Sequence, residues 1–206
     1  VHPEWGPVLF WILALGLTCR IVGQPLLALL AANAGHTEIA WLDGVIAGGL
    51  ALQAVGMWGL LAVLILTFRT GRPLEQNKGF KQIAPLLAVA ALALSLAQLA
   101  WCGGAAENLM HGRSLVVLPV SAQSTAVDLM LFGFVAAIGI AMSSRLFPLT
   151  FRMQAPHPRG LQIAAYLLVG GVIMTAWSGL QPADAAVGGP MENWAAVFYA
   201  GGLLTG

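Results

Sequence analysis

Charge is what this chain has least of. Acidic and basic residues make up 8% of its 206 residues, against roughly a quarter in an ordinary soluble domain, too few to clothe a water-facing surface. With a formal net charge of +1 it also has no basic field suited to nucleic acid. Cysteine is scarce: Cys19 and Cys102 both fall in apolar runs and share no C-x-x-C spacing, so neither a disulfide framework nor a thiolate metal site is supported. There is no H-E-x-x-H pair, no Walker spacing and no nucleophile beside a base, and no catalytic residue is nominated. The four histidines, His2, His36, His111 and His157, avoid the middle of every apolar run. That excludes paired imidazoles gripping a haem in a bilayer core. The seven methionines are scattered and read as packing rather than as a copper cluster.

Apolar residues fill the space that charge vacates, at 59% of the chain. At roughly 20 residues per span, the length accommodates about six crossings. The expected fold class is therefore all-α: a polytopic transmembrane helical bundle of about six spans, read as one integral membrane domain over 1–206. The spans are expected at about Pro7 to Leu30, Trp41 to Phe68, Ile83 to Gly104, Val116 to Phe147, Leu161 to Leu180, and from Trp194 onward, the last cut short. Pro119 marks an irregular start or a kink in the fourth. Because the chain starts on Val and stops inside an apolar run, trimming at both ends, or a longer parent chain, is expected.

The fourth span carries the clearest pattern. Asp128 stands near its head, Arg145 and Arg152 near its end, with Pro148 between them expected to stop the helix. Gly133, Ala137 and Met142 lie near one stripe, with Ala136 and Gly139 beside it, offering a face for close helix approach. Basic residues gather in two loops, Arg69, Arg72, Lys78 and Lys81 after span two and Arg145, Arg152 and Arg159 after span four, while the alternate loops hold Arg113 alone. The positive-inside rule then places the N-terminus and both basic loops on the cytoplasmic side of the cell inner (plasma) membrane. Trp41, Trp101 and Trp194 are expected in the outer aromatic belt, with Trp5 and Trp11 in the inner one.

Ionisable groups inside the bilayer are costly and need partners or a polar cavity. Here they are Arg20, Asp128 and, at a span end, Asp43. Arg20, Gln24, Gln98 and Asp128 are expected to form a polar band in the outer half, with an Arg20–Asp128 ion pair. Two roles stay open for it: holding helices in register, or holding a ligand, a proton or a cofactor propionate with Arg20 as the anion partner. His36 and His111 share the outer side, where either is a candidate axial ligand or simply a solvated loop histidine.

The run Asp128 to Arg152, DLMLFGFVAAIGIAMSSRLFPLTFR, followed by GLQIAAYLLV, resembles the later half of NnrS-like membrane proteins. Arg20 in the first span and the RTGRPLE loop closing the second fit the same half. That family is associated with haem, copper and nitric oxide metabolism and has about twice as many spans. Asp128 stands where the family carries a histidine, and Pro148-Leu-Thr-Phe-Arg152 replaces its HTGR-like ending. The resemblance thus implies the scaffold without the cofactor.

Three functions follow. The first is a non-catalytic integral subunit of a larger respiratory or photosynthetic electron-transfer assembly. Its partners would be the lipid bilayer and other membrane subunits, and it would touch quinone or chlorophyll-type pigment by apolar contact. The second is an NnrS-like haem or metal protein. The third is a small transporter or channel using the polar band, although the inverted repeat common in transporters is not visible.

Overall fold

The computed structural model describes residues 4–33, 40–70, 78–152, 157–179 and 190–205. The regular elements among them are all helical: α1 Trp5–Asn33, α2 Ala40–Thr70, α3 Lys78–Met110, α4 Val120–Asp128, a π-helical segment Leu129–Val135, α5 Ala136–Phe151, α6 Pro158–Gly179 and α7 Pro190–Thr205. α4, the π segment and α5 run on without a break. Five stretches, Trp5–Leu30, Trp41–Val63, Gln82–Met110, Val120–Pro148 and Pro158–Gly179, are long and apolar enough to cross a membrane, and Trp194–Thr205 is a shorter apolar helix. An all-α bundle in lipid is thus the architecture. A helix closes all its backbone hydrogen bonds within itself, which is what a hydrocarbon solvent demands.

Helix ends differ from the expected spans in instructive ways. α3 continues to Met110 rather than stopping near Gly104, because Ala105, Ala106 and Glu107 sustain a helix although they lower the hydropathy. Pro25, Pro85 and Pro148 lie inside α1, α3 and α5. Pro148 therefore does not end its helix; the end comes at Arg152, which takes a left-handed conformation at φ 52°. Prolines are carried within membrane helices because neighbouring groups take up the freed carbonyls. Pro119 does mark the start of α4, and its carbonyl accepts the Gln123 N–H at 3.0 Å.

The chain divides into two compact units, one of Val1–Gly71 with Gln98–Gln123, the other of Arg72–Ala97 with Ser124–Gly206. In the first, α1 and α2 are antiparallel along a seam of mixed three- and four-residue steps. Leu9 lies against Gly59, Leu13 against Gly56, Gly16 against Gln53, Cys19 against Gly49, and Gly23 against Ile46. This is the spacing of coiled-coil-like packing, drawn tight by small residues. The two backbones approach most closely at Gly16, where a Cβ would stand 2.6 Å from both Gln53 N and Gly49 O.

The chain between α3 and α4 folds back on the same unit. Gly112, at φ 62°, closes the end of α3. Asp43 Oδ1 accepts the Leu115 N–H at 2.7 Å and the Ser114 hydroxyl at 3.1 Å. Asn108 Nδ2 donates to the carbonyls of Ser114, at 3.2 Å, and Val117, at 2.8 Å. These bonds let Leu115 and Leu118 be buried, although the segment has no regular structure to satisfy its own backbone. Asp43, at the edge of the bilayer by sequence, is thus a clasp for this connection.

In the second unit α6 and α7 are antiparallel, with Gly170 beneath Phe198, Gly171 beneath Tyr199 and Gly202 beneath Leu168. Gly133 of the π segment seats against Ala93 of α3 and Val172 of α6. The buried stripe of the fourth span is Thr125, Leu129, Gly133, Ala137 and Ala141, at every fourth residue. Gly139 and Met142, expected near the packing face, are exposed. In a plain α-helix a four-residue step overshoots one turn by about 40°. The π segment, with its wider i→i+5 turn, offsets that drift and keeps the small residues in line.

Candidate functional site

Hydroxyls in the helices mostly resolve themselves locally. Thr18 bonds the carbonyl of Ala14, Ser95 that of Ala91, Ser144 that of Ala141 and Ser178 that of Thr175, at 2.8 to 2.9 Å. In the second unit the buried Thr175 and Tyr199 hydroxyls satisfy each other at 3.1 Å, and the Tyr199 ring stacks on Phe132 of the π segment. Each of these polar groups has a partner.

Three polar side chains of the first unit, strung along about two helical turns, behave differently. Gln98 of α3, 1% exposed, donates its Nε2 to the carbonyl of Leu50 at 3.2 Å. A carbonyl can only accept, so this bond fixes the amide's orientation and leaves Gln98 Oε1 as the free end. That oxygen is buried and has no hydrogen-bond partner. One turn beyond Leu50 on α2, Gln53 Oε1 is likewise buried and unpartnered, and so is the indole Nε1 of Trp101, one turn beyond Gln98 on α3. The three residues are 6%, 1% and 8% exposed in the order Gln53, Gln98, Trp101.

Over the Trp101 ring lies Arg20 of α1, its guanidinium carbon 3.8 Å from the ring centroid. α1 brings it there because Gly16 and Gly49 let the helices close one turn away. Stacking on an aromatic face is a favourable place for a guanidinium, but it engages none of its N–H groups. Among the described residues Arg20 has no ion pair and no hydrogen bond within the protein. Cys102 Sγ is 3.9 Å from Gln98 Nε2, and Cys19 meets Gly49 beside the seam. Arg20, Cys19 and Cys102 are all partly exposed. The unit thus holds three buried polar atoms without partners, with a half-exposed guanidinium stacked on Trp101.

Depth sharpens its meaning. Gln53 and Gln98 lie about ten or more residues from either end of their apolar spans, and Arg20 about ten from Leu30, hence roughly 15 Å or more from those ends. This is the hydrocarbon interior, where an unmet polar atom costs several kcal/mol and an ionisable side chain marks function by default.

The residues expected from sequence are thus gathered in part. Arg20 and Gln98 meet at one level with both cysteines, and Gln24 lies one turn further along α1, half-buried. Asp128 belongs to the second unit, directly before the π segment. His111 is exposed beyond the end of α3 and donates Nδ1–H to the carbonyl of Glu107 at 2.8 Å. His36 lies outside the described residues. Two members of the site were not singled out from sequence. Gln53 is an isolated amide in an apolar run, and Trp101, expected in the outer belt, is buried, whereas Trp41 and Trp194 are exposed. The available signal was the spacing of Gln98, Trp101 and Cys102 on one helical face. No group of three or more His, Cys, Asp or Glu suited to a metal occurs among the described residues.

The chain matches no family model, no curated protein and no solved structure. The role of the site therefore rests on its own chemistry.

Proposed function

We propose that the chain is a non-catalytic integral subunit of a larger respiratory or photosynthetic electron-transfer assembly. In this reading it sits in the inner (plasma) membrane with its N-terminus and two basic loops on the cytoplasmic side. The observation that carries it is how much apolar surface points outward. Only 17 to 39% of the most apolar window of each span is buried, and Trp11 and Tyr166 are 70% and 77% exposed. Such surface requires lipid or neighbouring membrane subunits, and tight helix association in lipid uses the small residues this chain has in quantity. Proton or ion transport calls on more intramembrane charge than one arginine and one aspartate. Isolation in mild detergent followed by native mass spectrometry tests it. Stoichiometric co-purifying subunits are expected; a homogeneous single chain with an activity of its own would refute the reading.

A haem-carrying, NnrS-like protein is the second reading, and His111 favours it. With Nδ1–H held by the Glu107 carbonyl, Nε2 is the nitrogen left to ligate, as in metal-binding imidazoles oriented by a backbone acceptor. An absorption spectrum of the purified protein decides it: a Soret band lost in His111→Ala supports the reading, and its absence from the wild type removes it.

A further inference from the structure

We propose that the half-exposed face of α1 bearing Arg20 and Gln24 receives a membrane helix of a neighbouring subunit, through an aspartate or glutamate near the middle of that helix. The inference rests on the assembly reading above and names the contact that joins the chain to its neighbour. Arg20 lies within one turn of the midpoint of Trp5–Leu30. Its guanidinium covers the Trp101 ring at 3.8 Å, and Trp101 lies within two turns of the midpoint of Gln82–Met110. A long basic side chain in lipid ordinarily stretches its charge toward the interface. This one rests instead on a ring about 14 Å from the end of the α3 span.

A charge at that depth is met by an opposite charge, by backbone carbonyls or by a water-filled cavity. Stacking on Trp101 attracts the cation but leaves its N–H groups without acceptors. Among the described residues Arg20 has neither an ion pair nor a hydrogen bond. The acids of its own unit are engaged or distant: Asp43 accepts from Leu115 and Ser114, and Glu4 and Glu107 are exposed near helix ends. Gln24, one turn along the same face of α1, is half-buried and equally without a hydrogen bond among the described residues. Leu17 and Ile21 beside the pair are exposed, so the face is open sideways, toward lipid.

The chemistry of the face selects its occupant. A guanidinium fork takes both oxygens of a carboxylate, and the Gln24 amide adds another N–H donor one turn away. A lipid phosphate carries the same sign but stays at the interface, out of reach of a guanidinium held at depth. A carboxylate on a neighbouring helix is carried to that depth by its own span. It needs a cation there for the same reason that Arg20 needs an anion, so one contact relieves both subunits.

The probe is a synthetic helix of about 24 leucine and alanine residues with one central glutamate, beside a twin with glutamine in its place. Each carries a fluorophore, and energy transfer to the labelled full chain in neutral-lipid nanodiscs reads association. The glutamate helix should bind saturably and about tenfold more tightly than its twin. Arg20→Leu should erase that preference while the isolated chain keeps its unfolding midpoint, and Gln24→Leu should reduce it roughly threefold. In mild detergent Arg20→Leu should also shed a subunit that co-purifies with the wild type, and that subunit should carry an acid inside an apolar span. Equal binding of the twins, or a preference indifferent to Arg20→Leu, would overturn the dock. So would an anionic phospholipid, or a second copy of this chain, being what Arg20→Leu releases. Rescue of Arg20→Asp by Asp128→Arg in the same chain would show an internal pair and overturn it too. Partners that co-purify with Arg20→Leu as with the wild type remove the dock and leave the assembly standing. A wild-type chain that isolates alone removes the assembly, and with it the occupant named here.

Discussion

The two units solve the problem of polar groups and close packing in opposite ways. In the first, Gly16 faces Gln53 N and Gly49 O, Gly49 faces Gly16 O and Gly56 faces Leu13 N, while Gly23 and Gly59 meet the side chains of Ile46 and Leu9. In the second, glycines meet side chains, the rings of Phe198 and Tyr199 and the branches of Leu168 and Val172. Backbone cannot step aside, so the first seam is rigid at Gly16, Gly49 and Gly56; the second gives most where a glycine meets a branched side-chain end, as Gly201 meets Leu167. The polar groups divide the same way. Thr175 and Tyr199 satisfy each other, whereas Gln53, Gln98 and Trp101 keep atoms unmet. Buried polar atoms without partners are a standing cost to the first unit; the paired hydroxyls of the second help hold its helices together.

The contrast breaks most readily at the seam. Gly16→Ala places a methyl against two backbone atoms and should cost about 3 kcal/mol, read as a lowered midpoint of unfolding in mixed detergent micelles. Gly201→Ala, facing the branched end of the Leu167 side chain, should cost distinctly less. Next comes the clasp. Asp43→Ala removes the acceptor for Leu115 N–H and Ser114 and should cost about 2 kcal/mol, with faster amide exchange at Leu115.

The sharpest comparison is smaller and concerns sign. Tyr199→Phe strips a satisfied hydroxyl and should destabilise by about 1 kcal/mol. Gln53→Leu strips an unsatisfied carbonyl and should stabilise the protein by about the same amount. Equal signs in the two unfolding measurements would erase the distinction between the units. Least of all, Gly139→Ala, with no atom within 4 Å of a Cβ there, should change stability by under about 0.5 kcal/mol.

The spans were legible in the sequence because a bilayer imposes one length and one composition on everything that crosses it. Where helices pass beyond that rule, hydropathy misplaces their ends. Ala105 to Met110 continue α3 outside the most apolar run, and Pro148 sits in a helix that lipid surroundings allow to continue. Arg20 and Gln98 stood out as polar residues in oil, but Gln53 gained meaning only from Leu50, one turn away and bonded to a third helix. Trp101 was indistinguishable from an interfacial tryptophan until its neighbours were known. Composition reports depth well; it does not report rotation about a helix axis.

That rotation is what the π segment controls. Its wide turn is equivalent to one residue inserted into an α-helix, since i→i+5 bonding replaces i→i+4. Removing a single residue between Leu129 and Val135 would turn the whole C-terminal half of the rod by about 100°, like a screw advanced by one flank. The shortened rod would be as oily as before and still long enough to cross, so no hydropathy profile would register the loss. Yet Ala137 and Ala141 would swing out of contact and a different set of side chains would be driven inward. One surplus amino acid thus sets the bearing of everything that follows it.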